Sequence, residues 1–143
     1  MDNSNSCLLS SLGYLLNAAQ TTVQRTLLHA FKAAGYDITV EQWTVLIHLW
    51  EKDGVSQQEL SDSTGKDNAS ICRLLDSLVK RNLVVRIPNK SDRRVNDIYA
   101  TSFAKEIKPE LVRIAEETFS IVLKNVKVED QVRFKNILRS IKE

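Results

Sequence analysis

The sequence predicts a mainly α-helical fold with one small β-hairpin, and three observations predict it. Residues 55–80 read as two short helices joined by a Gly-containing turn. Residues 83–100 carry two β-branched runs around a polar, basic tip. Long helices with apolar stripes stand at both ends of the chain. Two helices and a short turn followed by a basic hairpin make a winged helix-turn-helix. The chain of 143 residues is long enough for one domain with a real core.

Leu8, Leu12, Leu15, Leu16, Ala19, Val23, Leu27 and Phe31 recur at threes and fours, which predicts a helix over about residues 6–34 with Gly35 as its stop. At about 1.5 Å per residue it reaches roughly 40 Å, more than a small domain covers by itself. A long core helix is one reading. The unburied apolar area favours the other, packing of part of the helix against a second chain. Thr39-Val-Glu-Gln42 is a capping-box start for a helix ending near Lys52, before Asp53-Gly54, with Trp43, Leu46, Ile47 and Trp50 inward. His48 has no second ligand at helical spacing and receives no role.

Ser56-Gln-Gln-Glu59 is a second capping box and opens a short helix that buries Leu60. Ser63-Thr64-Gly65 breaks it, because glycine accepts the positive φ of a tight turn. The next helix begins near Lys66 or Asp67 and buries Ile71, Leu74, Leu75 and Leu78, leaving Ala69, Arg73, Asp76, Ser77 and Lys80 opposite. Leu83–Ile87, ended by Pro88, and Val95–Ala100 are the two strands. From Lys80 to Arg94 the chain sets Lys80, Arg81, Arg86, Lys90, Arg93 and Arg94 against the single acid Asp92. Such a stripe can neutralise phosphates, with an affinity that falls as salt rises.

Thr101-Ser102 can cap a helix over about 102–125, with a kink or late start at Pro109. A last helix over about 129–142 shows Phe134, Ile137, Leu138 and Ile141 on one face and has no good N-cap residue. The two chain ends, 1–35 and 102–143, are therefore expected to form a dimerisation layer beside the winged helix of 39–101, all within one domain.

Composition narrows the function. A hydrophobic fraction of 43% and a net charge of +2 describe a globular protein whose basic surface is local. No apolar run approaches the roughly 20 residues that span a bilayer, and the opening Met-Asp-Asn-Ser-Asn-Ser lacks the positive region of a signal peptide. Cys7 and Cys72 have neither metal-ligand nor disulfide spacing, so a reducing cytoplasm is expected, with no metal and no cofactor. Phosphate loops, zinc-binding helices and nucleophile elbows are missing, and no enzyme is expected.

The run Thr39-Val-Glu-Gln42-Trp-Thr-Val-Leu46, Glu59-Leu60, Ser70-Ile-Cys-Arg73, Leu78, Leu83-Val84, Arg86 and Asp92-Arg-Arg94 resembles the multiple antibiotic resistance regulator (MarR) family over nearly the whole chain. The Asp-x-Arg wing tip is its most specific element. Asn82 stands where the family usually has Gly and is expected to take the same left-handed turn. Ala100-Thr101 and Ala104 depart from the usual Leu-Thr and Gly, and Cys72 from a common Thr.

The resemblance implies a homodimeric regulator of double-stranded DNA, often a repressor. Such proteins are released by a small aromatic or lipophilic effector held between the dimer layer and the winged helix; the ligand-binding residues are unknown. Lys66, Asn68, Ala69, Ser70 and Arg73 are the groove-facing candidates, Arg73 being the best suited to grip guanine through two bonds. Lys90, Arg93 and Arg94 carry the wing, with Asp92 orienting an arginine. Two other readings stand beside this one. The first is a winged-helix dimer that acts on another protein with weak DNA affinity, against which the basic wing argues. The second is a cysteine-based redox regulator. Some relatives sense peroxide near the start of the first helix, but the matching position here is Gly13, and Cys7 lies about two turns earlier.

Overall fold

The computed structural model describes residues 8–141. Six helices and a three-stranded antiparallel sheet follow in the order α1 (Leu12–Ala33), α2 (Val40–Glu51), β1 (Val55–Ser56), α3 (Gln57–Thr64), α4 (Asn68–Lys80), β2 (Val84–Pro88), β3 (Asn96–Ala100), α5 (Ser102–Val122) and α6 (Val128–Ser140). The chain divides into two compact units. One is Gly35–Val112; the other is the chain up to Ala34 together with the chain from Arg113.

In the unit 35–112 every start signal has a partner. Thr39 Oγ1 accepts the Gln42 amide while the Gln42 side chain accepts the Thr39 amide, a complete capping box. Ser56 caps α3 by accepting the Glu59 amide at 3.1 Å. The reciprocal half predicted there does not form, because the Glu59 carboxylate pairs with the Lys52 ammonium at 3.3 Å, a charged partner in place of a neutral one. Gly65 ends α3 at φ 69° and turns the chain into α4. Asn82, at φ 58°, makes the left-handed turn expected of it before β2.

The inward face of α2 differs from the expected one. Gln42, Val45, Leu46 and Leu49 are buried with Trp43, whereas Ile47 is 38% exposed. The set at 42, 45, 46 and 49 has the full i, i+3, i+4, i+7 spacing, and Ile47 lies off it. Trp50 stays half-buried on the flank, edge-on to Trp43 at 5.6 Å. Gln42 is polar yet buried; its amide donates to Ser77 Oγ at 2.7 Å, so Ser77 faces α2 and not the open side of α4.

The sheet has the order β1-β3-β2, with Val55 opposite Ile98 and Arg86 opposite Ile98 on the other side. The two-residue β1 was not predicted; it is too short to show alternation. The wing strands start one residue later than expected at both β2 and β3. Ile71, Leu75, Leu78, Ile98 and Leu111 are buried to within a per cent, and Leu74 only partly.

In the other unit, Ser11 accepts the Tyr14 amide and starts α1, with a single 3-10 turn at Leu8–Ser10 before it. The helix therefore begins later than predicted, and positions 6 and 7 lie outside the described residues. Leu27 and Phe31 are buried, but Leu8, Leu12 and Leu15 are 84%, 72% and 51% exposed. Helix α5 starts within the 35–112 unit, with Thr101 Oγ1 accepting the Ala104 amide, and runs through Pro109 to end at Val122. Helix α6 has no side-chain cap, as its sequence suggested, and buries none of its residues.

Candidate nucleic-acid interface

Helix α4 presents its first two turns outward. Asp67 is the N-cap, and its carboxylate accepts the Ser70 amide at 2.7 Å and the Ser70 hydroxyl at 3.2 Å. Those two bonds, the amide first, with a smaller contribution from the charge of Arg73, hold the Asp67 carboxyl below its ordinary 3.8. Arg73 is exposed and donates from Nη2 to Ser70 Oγ at 3.3 Å. Ala69 is exposed beside them. Asn68 is exposed, but its amide is engaged by Gln58 of α3 at 3.0 Å, and Gln58 in turn donates to Asp62. Lys66 is half-buried in the turn, where its backbone bonds Ser61 and Thr64.

The wing tip is built around Asn89. Its side-chain oxygen accepts the Ser91 and Asp92 amides, and its nitrogen donates to Asp97 of β3. The backbone so folded delivers Asp92 to Arg94. Asp92 accepts the Arg94 amide at 3.1 Å, Nε at 3.0 Å and Nη2 at 3.1 Å, a two-point carboxylate–guanidinium pair. The Arg94 side chain nevertheless remains 90% exposed. The guanidinium holds the Asp92 carboxyl below its ordinary 3.8, and Asp92 in turn raises the pKa of Arg94 above its ordinary value. Lys90 and Arg93 are exposed and carry no ion pair among the described residues.

The basic stripe expected from Lys80 to Arg94 is shorter than the sequence suggested. Arg81 turns back to the Asp37 carboxylate at 2.7 Å, the Asp37 carbonyl and Gln42 Oε1. Arg86 pairs with Asp76 at 2.7 Å and donates to the Cys72 carbonyl. Both cations are spent inside the unit, leaving Lys80, Lys90, Arg93 and the posed Arg94 facing out. The Asp67 cap was legible in principle, since Asp stands three residues before Ser70; the Arg81 and Arg86 partners are distant in sequence or on another element. Cys72 is a half-buried free thiol, and Cys7 lies outside the described residues. No cluster of ligands able to hold a metal occurs among the described residues. None of the described helices is long and apolar enough to cross a membrane.

A helix-turn-helix with a three-stranded sheet and an arginine-tipped hairpin defines a winged-helix protein. The model of the MarR family matches residues 38–95. The chain is 20% identical, over 107 residues, to an uncharacterised HTH-type transcriptional regulator, YybA, of Bacillus subtilis (strain 168), covering 75% of this chain and 71% of that protein. Among solved structures it resembles the transcriptional repressor CouR bound to a 23-mer DNA duplex, at 25% identity and a TM-score of 0.85 over 93% of each chain. A mutant MarR from E. coli complexed with operator DNA matches at 22% identity and the same TM-score over 100% of both chains. The match to the MarR family model thus covers the helix-turn-helix and most of the wing, and the solved structures share the winged-helix fold.

Proposed function

We propose that this regulator is a homodimer that binds a near-palindromic operator, represses transcription from it, and is released by a small aromatic or lipophilic ligand. The observation that carries the DNA reading is the wing tip, where Asp92 grips Arg94 at two points while the guanidinium stays in the open. A cation posed this way suits a minor groove, whose negative potential is strongest where it is narrow. The exposed first turns of α4, from Lys66 to Arg73, suit the adjacent major groove. DNA in the CouR and E. coli MarR structures supports the same partner.

Dimerisation is supported by the apolar surface at the chain ends. Val128, Val132, Phe134, Ile137, Leu138 and Ile141 of the last helical segment are all exposed, as are Leu8, Leu12 and Leu15. That much exposed apolar surface calls for a partner, and both chain ends supply it at once. Residues 1–35 and 102–143 are thus the dimerisation helices of a single MarR-type domain whose DNA-binding core is 39–101. Ligand release and the repressor sign rest on the likeness to the MarR family, and we place the protein in the cytoplasm with its DNA.

The test is selection of bound sequences from random duplexes, followed by titration of the selected site at two salt concentrations. Paired half-sites about 10 bp apart and a steep salt dependence are expected. Equal, salt-insensitive binding to every duplex would favour instead a winged-helix dimer that acts on another protein.

A further inference from the structure

We propose that Ser70 is a positioning residue for Arg73: its hydroxyl, turned by Asp67, presets the guanidinium for a base edge. The proposal rests on the reading of α4 as the helix that meets DNA. Asp67, Ser70 and Arg73 are spaced three and three, so they stack along one side of the helix. Capping requires only the Ser70 amide on the Asp67 carboxylate, at 2.7 Å. The hydroxyl is surplus to that task. It has one proton, directed to the second Asp67 oxygen at 3.2 Å, so its lone pairs are left for Arg73 Nη2 at 3.3 Å.

The chain therefore has a direction, from guanidinium to hydroxyl to carboxylate, and bonds in such a series polarise one another. Arg73 Nε and Nη1 bond no other described residue and remain available to a ligand. An arginine loses rotamer freedom when it docks, and a partner that narrows its rotamers beforehand reduces that loss. On this reading Ser70 acts through Arg73 and does not itself touch DNA.

The experiment compares the full chain with Ser70→Ala, Ser70→Thr, Arg73→Ala and the Ser70→Ala/Arg73→Ala double variant. The readout is the ratio of affinity for the selected duplex to affinity for a random duplex, with the thermal midpoint alongside. Ser70→Ala is expected to lower the ratio roughly three- to tenfold, the worth of one modest hydrogen bond. It should leave the thermal midpoint unchanged, because the cap bond from the Ser70 amide to Asp67 is kept. Ser70→Thr, which keeps the hydroxyl, should restore the ratio, and the double variant should match Arg73→Ala. A further loss from Ser70→Ala in the Arg73→Ala background would mean that Ser70 contacts DNA directly and overturns the relay. So would an unchanged ratio in Ser70→Ala alone. An Arg73→Ala variant that keeps the full ratio overturns the reading of α4 itself, and the relay with it.

Discussion

Arg86 of β2 closes on Asp76 of α4 at 2.7 Å, and a second guanidinium nitrogen donates to the Cys72 carbonyl at 3.3 Å. The pair fastens the base of the wing to the helix that carries Arg73. It also withdraws a cation from the surface that sequence alone assigns to phosphate. The functions of the basic residues therefore separate by partner and not by charge.

Arg86→Ala should lower unfolding free energy by about 1 kcal/mol, the upper range for a half-exposed ion pair. It should leave the dependence of DNA affinity on salt unchanged. Lys90→Ala should do the opposite, leaving stability alone and reducing the salt slope by roughly one unit, as loss of one phosphate contact does. Denaturant unfolding and fluorescence anisotropy at four salt concentrations measure both. A reduced slope in Arg86→Ala would place Arg86 on the phosphate backbone.

Arg94→Ala should weaken binding and flatten the preference for A·T-rich flanks outside the half-sites, whereas Lys90→Ala should weaken binding and keep that preference. Asp92→Asn keeps the shape of the tip but loses the carboxylate charge that holds Arg94, so its effect should lie between the two. Competition between operators with A·T-rich and G·C-rich flanks distinguishes them. An unchanged flank preference in Arg94→Ala would reduce the wing to a phosphate clamp.

The acid limit of the wing tip follows from the direction of the Asp92 shift. Its folded pKa lies below the ordinary 3.8, chiefly through the Arg94 side chain and then the Arg94 amide. The Asp92–Arg94 contribution is thus fully present above about 3.8 and is lost as pH falls through the lower folded value. Carboxyl NMR titration should find Asp92 still ionised at pH 3.8, and Arg94→Ala should move its midpoint back up. A midpoint indifferent to Arg94 would show that the pair does not persist in solution.

Gly54→Ala should be among the most damaging small substitutions in the 35–112 unit. Gly54 has φ 71°, and an added Cβ would stand 2.9 Å from the Tyr99 ring. Backbone strain at such a position costs about 1–3 kcal/mol, to which the collision with a half-buried ring adds. A denaturant midpoint within error of the unsubstituted chain would mean that Tyr99 swings aside without cost.

Removing residues 129–143 should lower both solubility and thermal stability, because α6 has no buried residue to lose within its own chain. Its worth on this reading lies in the dimer, and obligate dimers often lack a stable monomer. Sedimentation of the shortened chain decides it. A well-folded monomer at micromolar concentration would contradict dimerisation through the chain ends.

Local chemistry was enough to determine much of this protein from the sequence. The apolar spacing of Ile71, Leu75 and Leu78, the caps at Thr39 and Ser56, and the glycine after Thr64 define their helices through neighbours three or four residues away. The tertiary structure alone decided which charges remain for a partner. Arg81 meets Asp37 44 residues back in the chain, and Arg86 crosses from a strand to a helix, distances at which residue order carries no signal. It also decided that Glu59 serves Lys52 and not its own helix cap, and that Ile47 faces outward while Gln42 is buried. A side chain's period places it on a face, but its partners depend on what the folded chain brings within about 3 Å, the reach of a hydrogen bond.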